Sequence, residues 1–192
     1  GERRQELLEL SSDNYEIATN LSPQNAILWN EWGMLYLSAG QFEAAQEKIA
    51  HSLEIDPDFA QTWTIQADVY ANQDLITDAL DAYETALELD PRQTDVWLRV
   101  GDIRRQREEP EKAIEAYEEA LELRPKHVQA WRVLGTLYAQ VGEQQNGIEA
   151  LQQALEVAPN GGDAWDTHRM LAILYNQVGE QEAALAHAQQ AL

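Results

Sequence analysis

Apolar positions along this chain recur three and four residues apart, as at Trp63, Ala67 and Tyr70 or at Ala79, Tyr83 and Ala86. That spacing is one face of an α-helix rather than the alternation of a strand. The helical stretches come in pairs separated by short breaks rich in Gly, Asn, Asp or Pro, and the pairs themselves repeat. Trp29, Trp63, Trp97, Trp131 and Trp165 stand one every 34 residues, and Pro57, Pro91, Pro125 and Pro159 keep the same step. A period of this size marks stacked helical hairpins, each burying its apolar face only against its neighbours. One further step back from Pro57 lands on Pro23.

The first segment carries Leu7, Leu8, Tyr15, Ile17, Ala18 and Leu21 and breaks at Ser22-Pro23, so residues 2–24 read as half a repeat, the second helix of a hairpin. Complete repeats are expected over 26–59, 60–93, 94–127 and 128–161, with an incomplete last one over 162–192. The first reads Trp29, Trp32, Gly33, Tyr36, a turn at Gly40, then Ala45 and Ile49. In the second, Asn72-Gln73-Asp74 replaces the turn glycine, and Asn or Asp tolerates the left-handed backbone such a turn requires. In the third, Pro110 suits the first turn of a second helix, where its missing N–H costs nothing. The last repeat keeps Trp165 on the period, yet Leu171, Ala172, Tyr175 and Gly179 arrive three residues late. Three residues are close to one helical turn, so an extra turn is expected at the start of this first helix, after Asn160-Gly161-Gly162. The periodic tryptophans and Trp32 are expected in the core, around small residues such as Gly33, Gly101 and Ala113 that let helices approach.

The pattern Trp-x2-Leu-Gly-x2-Tyr, completed by Ala-x3-aromatic and a closing Pro, is carried by Trp131, Leu134, Gly135, Tyr138 and Pro159 and recurs in register nearly throughout. It resembles the tetratricopeptide repeat (TPR) family. Gln66 and Arg104 depart from it in usually apolar or aromatic slots, and Gly147 replaces the small Ala of the helix crossing, where it should fit at a propensity cost of ~1 kcal/mol. The resemblance implies an all-α fold, an α-solenoid of about 11 helices in antiparallel hairpins, forming a right-handed superhelix with a concave groove. It also implies which side chains line that groove: Asn30, Met34 and Leu37 in the first hairpin, with Ile27 beside them, then Thr64 and Asp68. Leu98, Asp102 and Arg105 follow, then Arg132 and Thr136, and finally Arg169. The implied function is a non-catalytic protein–protein interaction scaffold that binds a peptide or partner helix in the groove. Relatives that clamp a peptide's terminal carboxylate use Lys and Asn on successive groove helices; Asn30 and Met34 without a Lys do not support that clamp.

Charge narrows the partners. The 34 acidic and 13 basic residues leave a net charge of -21, which opposes bulk attraction to nucleic acid or an anionic membrane. No apolar run approaches the ~20 residues of a membrane helix, so no direct membrane insertion is expected. Cysteine is absent, which excludes disulfides and thiolate metal sites and assigns no compartment. His51, His127, His168 and His187 are scattered and form no metal or catalytic motif; neither catalysis nor a cofactor is expected. Nine of the 13 cations lie from Arg92 to Arg132, among nine acids. Either those acids merely offset them, or Arg105, Arg132 and Arg169 hold carboxylates of a bound peptide, for which Arg geometry is suited. Glu115, Glu118, Glu119 and Glu122 read as a solvated convex face. Gly1 reads as a remnant of tag removal and Leu192 falls within a helical pattern, so a fragment of a longer chain is expected. Two alternatives follow: a self-assembly module that stacks through its terminal helices into a homo-oligomer, or the soluble TPR region of a larger enzyme or membrane protein.

Overall fold

The computed structural model describes residues 2–192, apart from the side chains of Glu2 and Arg4. Gly1, read as a remnant, lies outside the described residues. Among the described residues every regular element is a helix. A leading helix α1 (Glu2–Leu21) precedes five hairpins: α2 (Ala26–Ser38) with α3 (Phe42–Ile55), α4 (Ala60–Asn72) with α5 (Ile76–Leu89), and α6 (Thr94–Gln106) with α7 (Pro110–Leu123). Then come α8 (Val128–Gln140) with α9 (Gln144–Val157), and α10 (Ala164–Gln177) with α11 (Gln181–Gln190). The chain divides into two compact units, Gly1–Arg92 and Gln93–Leu192, each a run of stacked hairpins.

The turn inside every hairpin is built alike. The backbone N–H of Gln41, Leu75, Glu109, Glu143 and Glu180 reaches the carbonyl of Tyr36, Tyr70, Arg104, Tyr138 and Tyr175, five residues earlier. This bond closes a helix C-terminus when the residue before the donor takes a left-handed backbone. Gly40, Gly142 and Gly179 do so without strain, Asp74 does so at φ 63°, as its type permits, and Glu108 does so at φ 58°. Glu108 has no such tolerance, and its turn is reinforced: Arg104 donates from Nη1 to Glu109 at 2.6 Å across the same turn. Pro110 opens α7, as expected from its position.

Within a hairpin the helices cross where side chains are smallest. A Cβ on Gly33 would lie 2.9 Å from Ile49, one on Gly101 would lie 2.9 Å from the Tyr117 ring, and one on Gly135 would lie 2.6 Å from Leu151. Gly147 is the least forgiving case, because its Cβ would meet a backbone atom, the Gly135 carbonyl oxygen, at 2.9 Å. Helix propensity alone would favour Ala there by about 1 kcal/mol, but a backbone oxygen cannot swing aside, so this crossing demands glycine.

Trp32 is buried, as expected. Its ring stacks with Tyr15, Trp29 and Tyr36, Lys48 Nζ lies 4.3 Å from its centroid, and its indole N–H donates to Ser12 at 3.1 Å. Ser12 in turn bonds the Tyr36 hydroxyl, so this cluster seats α1 on α2. The periodic tryptophans behave differently. Trp29, Trp63, Trp97 and Trp131 are half-buried at the margin of the core. Trp29, Trp63 and Trp131 donate their indole N–H to the carbonyls of Pro23, Pro57 and Pro125, each six residues earlier, at 3.0, 2.8 and 2.8 Å. They clip the loop that leaves one hairpin to the first turn of the next. The shared period of Trp and Pro is therefore a hydrogen bond.

Trp165 breaks this rule. It is 56% exposed and forms no such bond. The reason is its place on the helix: Trp29, Trp63, Trp97 and Trp131 are each the fourth residue of theirs, whereas Trp165 is the second of α10. The expected extra turn is not formed: α10 has 14 residues against 13 in α8, so the helix takes only one of the three added residues. The loop holding Gly161 and Gly162, poor helix formers, takes the other two. Replacing Trp63 with Phe should therefore lower stability by about 1–2 kcal/mol through the lost bond and apolar area. Trp165→Phe should change it by less than about 0.5 kcal/mol. Thermal unfolding of both variants measures the difference; equal effects would remove the clip as its cause.

Candidate functional site

In the first unit, the residues assigned to the groove fall into three environments. Ile27 and Met34, two turns apart on α2, are 54% and 46% exposed, while Leu37 is half-buried against the core of Ala45, Ile49, Ile65 and Val69. Asn30, between them in sequence, is only 1% exposed, and its Oδ1 accepts no hydrogen bond. It lies inside the packing, not on the face. On α4, the Thr64 hydroxyl donates to the Ala60 carbonyl, and Asp68 accepts from the Tyr83 hydroxyl of α5.

The same arrangement returns one period later. Asp102 accepts from the Tyr117 hydroxyl at 2.6 Å and from Arg105 at 3.4 Å. Burial first, and then the bond to Asp102, pushes the Tyr117 phenol well above its ordinary value. A phenol over a helix crossing needs a partner for its hydroxyl. Where Ile49 and Leu151 take the tyrosine slot, Met34 and Thr136 take that of the aspartate. Asp68 and Asp102 thus complete the hairpins that hold them. The 34-residue step of both pairs carried this signal in the sequence, and reading each helix separately missed it.

Most cations of the second unit are already engaged. Arg132 on α8 is 13% exposed at its side chain and donates to Asp163 at 2.8 Å and Asp166 at 2.7 Å, joining its helix to α10 and the loop before it. Arg169 binds the other oxygen of Asp166 through Nε at 3.0 Å and Nη2 at 2.7 Å. Arg105 pairs more loosely with Asp102. Thr136 donates to the Arg132 carbonyl, and Leu98 packs against the core of α7 and α8. Glu109 gathers Arg104, Arg107 and Lys112, and Arg124 reaches Asp95 at 3.0 Å. Arg132 is a bridge between hairpins, and of the three assigned arginines only Arg105 and Arg169 keep about half of their side chains in solvent.

The histidines serve packing. His127 Nδ1 accepts the Ala130 N–H and caps α8, and His51 lies against Trp29. His168 and His187 face each other with Nδ1 atoms 2.8 Å apart beneath Tyr175; burial, and then His168, holds His187 below the usual histidine value. Among the described residues no three His, Asp or Glu are placed to hold a metal ion, and no helix is long and apolar enough to cross a membrane.

Two family models, each described as tetratricopeptide repeat, match the chain, one over residues 30–94 and the other over 101–172. No curated protein matches the sequence. Among solved structures, the chain is similar to YrrB, described as "a TPR protein with an unusual peptide-binding site", at 21% identity over 94% of this chain and 91% of that one, with a TM-score of 0.80. A MamA crystal structure is similar at 22% identity over 87% and 90% of the two chains, TM-score 0.73. MamA from Desulfovibrio magneticus RS-1, from residue 41 to its end, is similar at 19% identity over 86% and 92%, TM-score 0.68. At these identities the likeness is one of fold.

The Asp166 carboxyl is held below the usual carboxylate range by Arg169 first and then Arg132, against the opposing effect of burial. A depressed folded-state value stabilises above the unfolded value of about 4 and ceases to do so as pH falls through the folded one. Asp166→Asn should therefore cost about 1–2 kcal/mol at pH 7, and the gap to wild type should shrink progressively as pH falls below about 4. Thermal unfolding of both proteins from pH 7 to pH 2.5 measures it. A gap that persists in acid would show that the contact is not ionic.

Proposed function

Because the chain belongs to the tetratricopeptide repeat family, we propose that it is a non-catalytic protein–protein interaction scaffold whose first helices bind a peptide or partner helix. The observation that carries this reading is the exposed apolar strip of Ile27 and Met34 on α2. Large apolar side chains left in solvent on an ordered helix face are the raw material of a peptide anchor. YrrB, a fold neighbour, is described as having an unusual peptide-binding site. The strip supplies apolar contact, with Thr64 on the next first helix of the same unit; in the second unit, Arg105 and Arg169 keep about half of their side chains in solvent.

Peptides selected from a random displayed library test it. The double variant Ile27→Asp/Met34→Asp should bind them at least tenfold more weakly, a change of about 1.4 kcal/mol. Arg105→Ala should cost less and reduce salt sensitivity. Unchanged affinity in the double variant would overturn the reading.

A second reading rests on α1. Leu7, Leu10, Ile17 and Leu21 are each more than half exposed and follow heptad spacing, with Asn14 completing the seam. A second copy of the chain fits such a stripe. Light scattering over a concentration series should then show a dimer that Leu10→Lys/Ile17→Lys abolishes, whereas a strict monomer throughout would remove this reading.

A further inference from the structure

Away from the first-helix face, the second unit carries a cleft of about 840 Å³ between α7 and α9, floored by α8. Its walls bear Glu115, Glu118, Glu119 and Glu122 from α7 and Glu149 from α9, all exposed, and its lining includes no Lys or Arg. The floor is apolar and aromatic: Leu121, Trp131, Leu134 and Tyr138. Trp131 has its N–H committed to Pro125 and Tyr138 has its hydroxyl committed to Glu118. Both rings therefore offer the cleft carbon surface and π-electrons rather than donors.

The contrast with the rest of the unit is one of charge. Arg104, Arg124, Arg132 and Arg169 are each engaged by acids of their own chain, while the cleft gathers carboxylates without a compensating cation. A volume of this size matches pockets that enclose several side chains. Rings under a rim of carboxylates are suited to alkyl stems capped by ammonium or guanidinium groups. The α7 glutamates at 115, 118, 119 and 122 span two helical turns, roughly 10 Å. That length matches cations spaced three and four apart on a facing helix.

We propose that this cleft docks a basic amphipathic helix of a protein partner. Its Lys or Arg side chains run along the glutamate walls and its apolar side chains enter between Trp131 and Leu134. The charge sign excludes nucleic acid and anionic lipid as occupants, and the apolar floor separates the site from a solvated acidic face, which is how the glutamates read in sequence.

The probe is a 16-residue amphipathic helical peptide of Lys, Leu and Ala, with a scrambled peptide of the same composition as control, titrated calorimetrically into the whole chain. The amphipathic peptide should bind at least fivefold more tightly than the scrambled one. Glu118→Gln/Glu119→Gln/Glu122→Gln, which retains an acceptor for Tyr138, should weaken it at least fivefold. Glu6→Gln/Glu9→Gln/Glu16→Gln on α1, an identical change in net charge, should shift it by less than twofold. Asn146→Lys, a cation placed at the rim, should also weaken it at least fivefold in a protein whose circular dichroism is unchanged. Equal binding of both peptides, equal loss in both triple variants, or insensitivity to Asn146→Lys would each overturn the proposal.

Discussion

Each hairpin depends on bringing two helices to a separation that leaves room for no more than a methyl group. At Gly33, Gly101, Gly135 and Gly147 even that would come within 3.0 Å of a neighbour, and at Gly147 the nearest is a backbone oxygen. Once the crossing is this close, the residue one turn further along the second helix must lie over the small one, as Ile49, Tyr117 and Leu151 do over Gly33, Gly101 and Gly135. Its chemistry then decides the opposite side chain. A tyrosine needs an acceptor and receives Asp102; an aliphatic side chain needs none, and Thr136 or Met34 stands there instead. The polarity of the first-helix face is thus partly dictated from beneath.

This explains what was legible in the sequence. Hairpin order, the left-handed turn at Asp74, Pro110 at a helix start and the burial of Trp32 all follow from local preference and period, which one sequence carries in full. Side-chain engagement is another matter. Arg132 meets Asp163 and Asp166 from 31 and 34 positions away, and Asn30 is sealed in by packing that no local pattern describes. The arginines look alike in sequence, yet one is a bridge and two stand half in solvent. The tryptophans look alike as well, and the three-residue delay of Leu171 and Tyr175 reads in sequence as an extra helical turn because helix and loop absorb residues equally well in a count. Gly161 and Gly162 tip that balance toward the loop.

Charge is distributed with a similar logic. The few cations of this acidic chain are mostly bound to its own carboxylates at turns and between hairpins, where they do structural work. The surplus of acids is left on the second helices, and between α7 and α9 it borders half-buried ring surface rather than open solvent.

The loss of the indole clip at Trp165 changes how the last hairpin is coupled to its neighbour. Earlier loops are fastened by a neutral hydrogen bond, insensitive to ionic strength, whereas α10 is tied back to α8 through Arg132 and two aspartates. In an array where each repeat is supported only by those beside it, the last boundary adds ion pairs to an apolar core of Ile148, Leu151, Leu171 and Leu174, so one part of its hold is electrostatic where the others' is not.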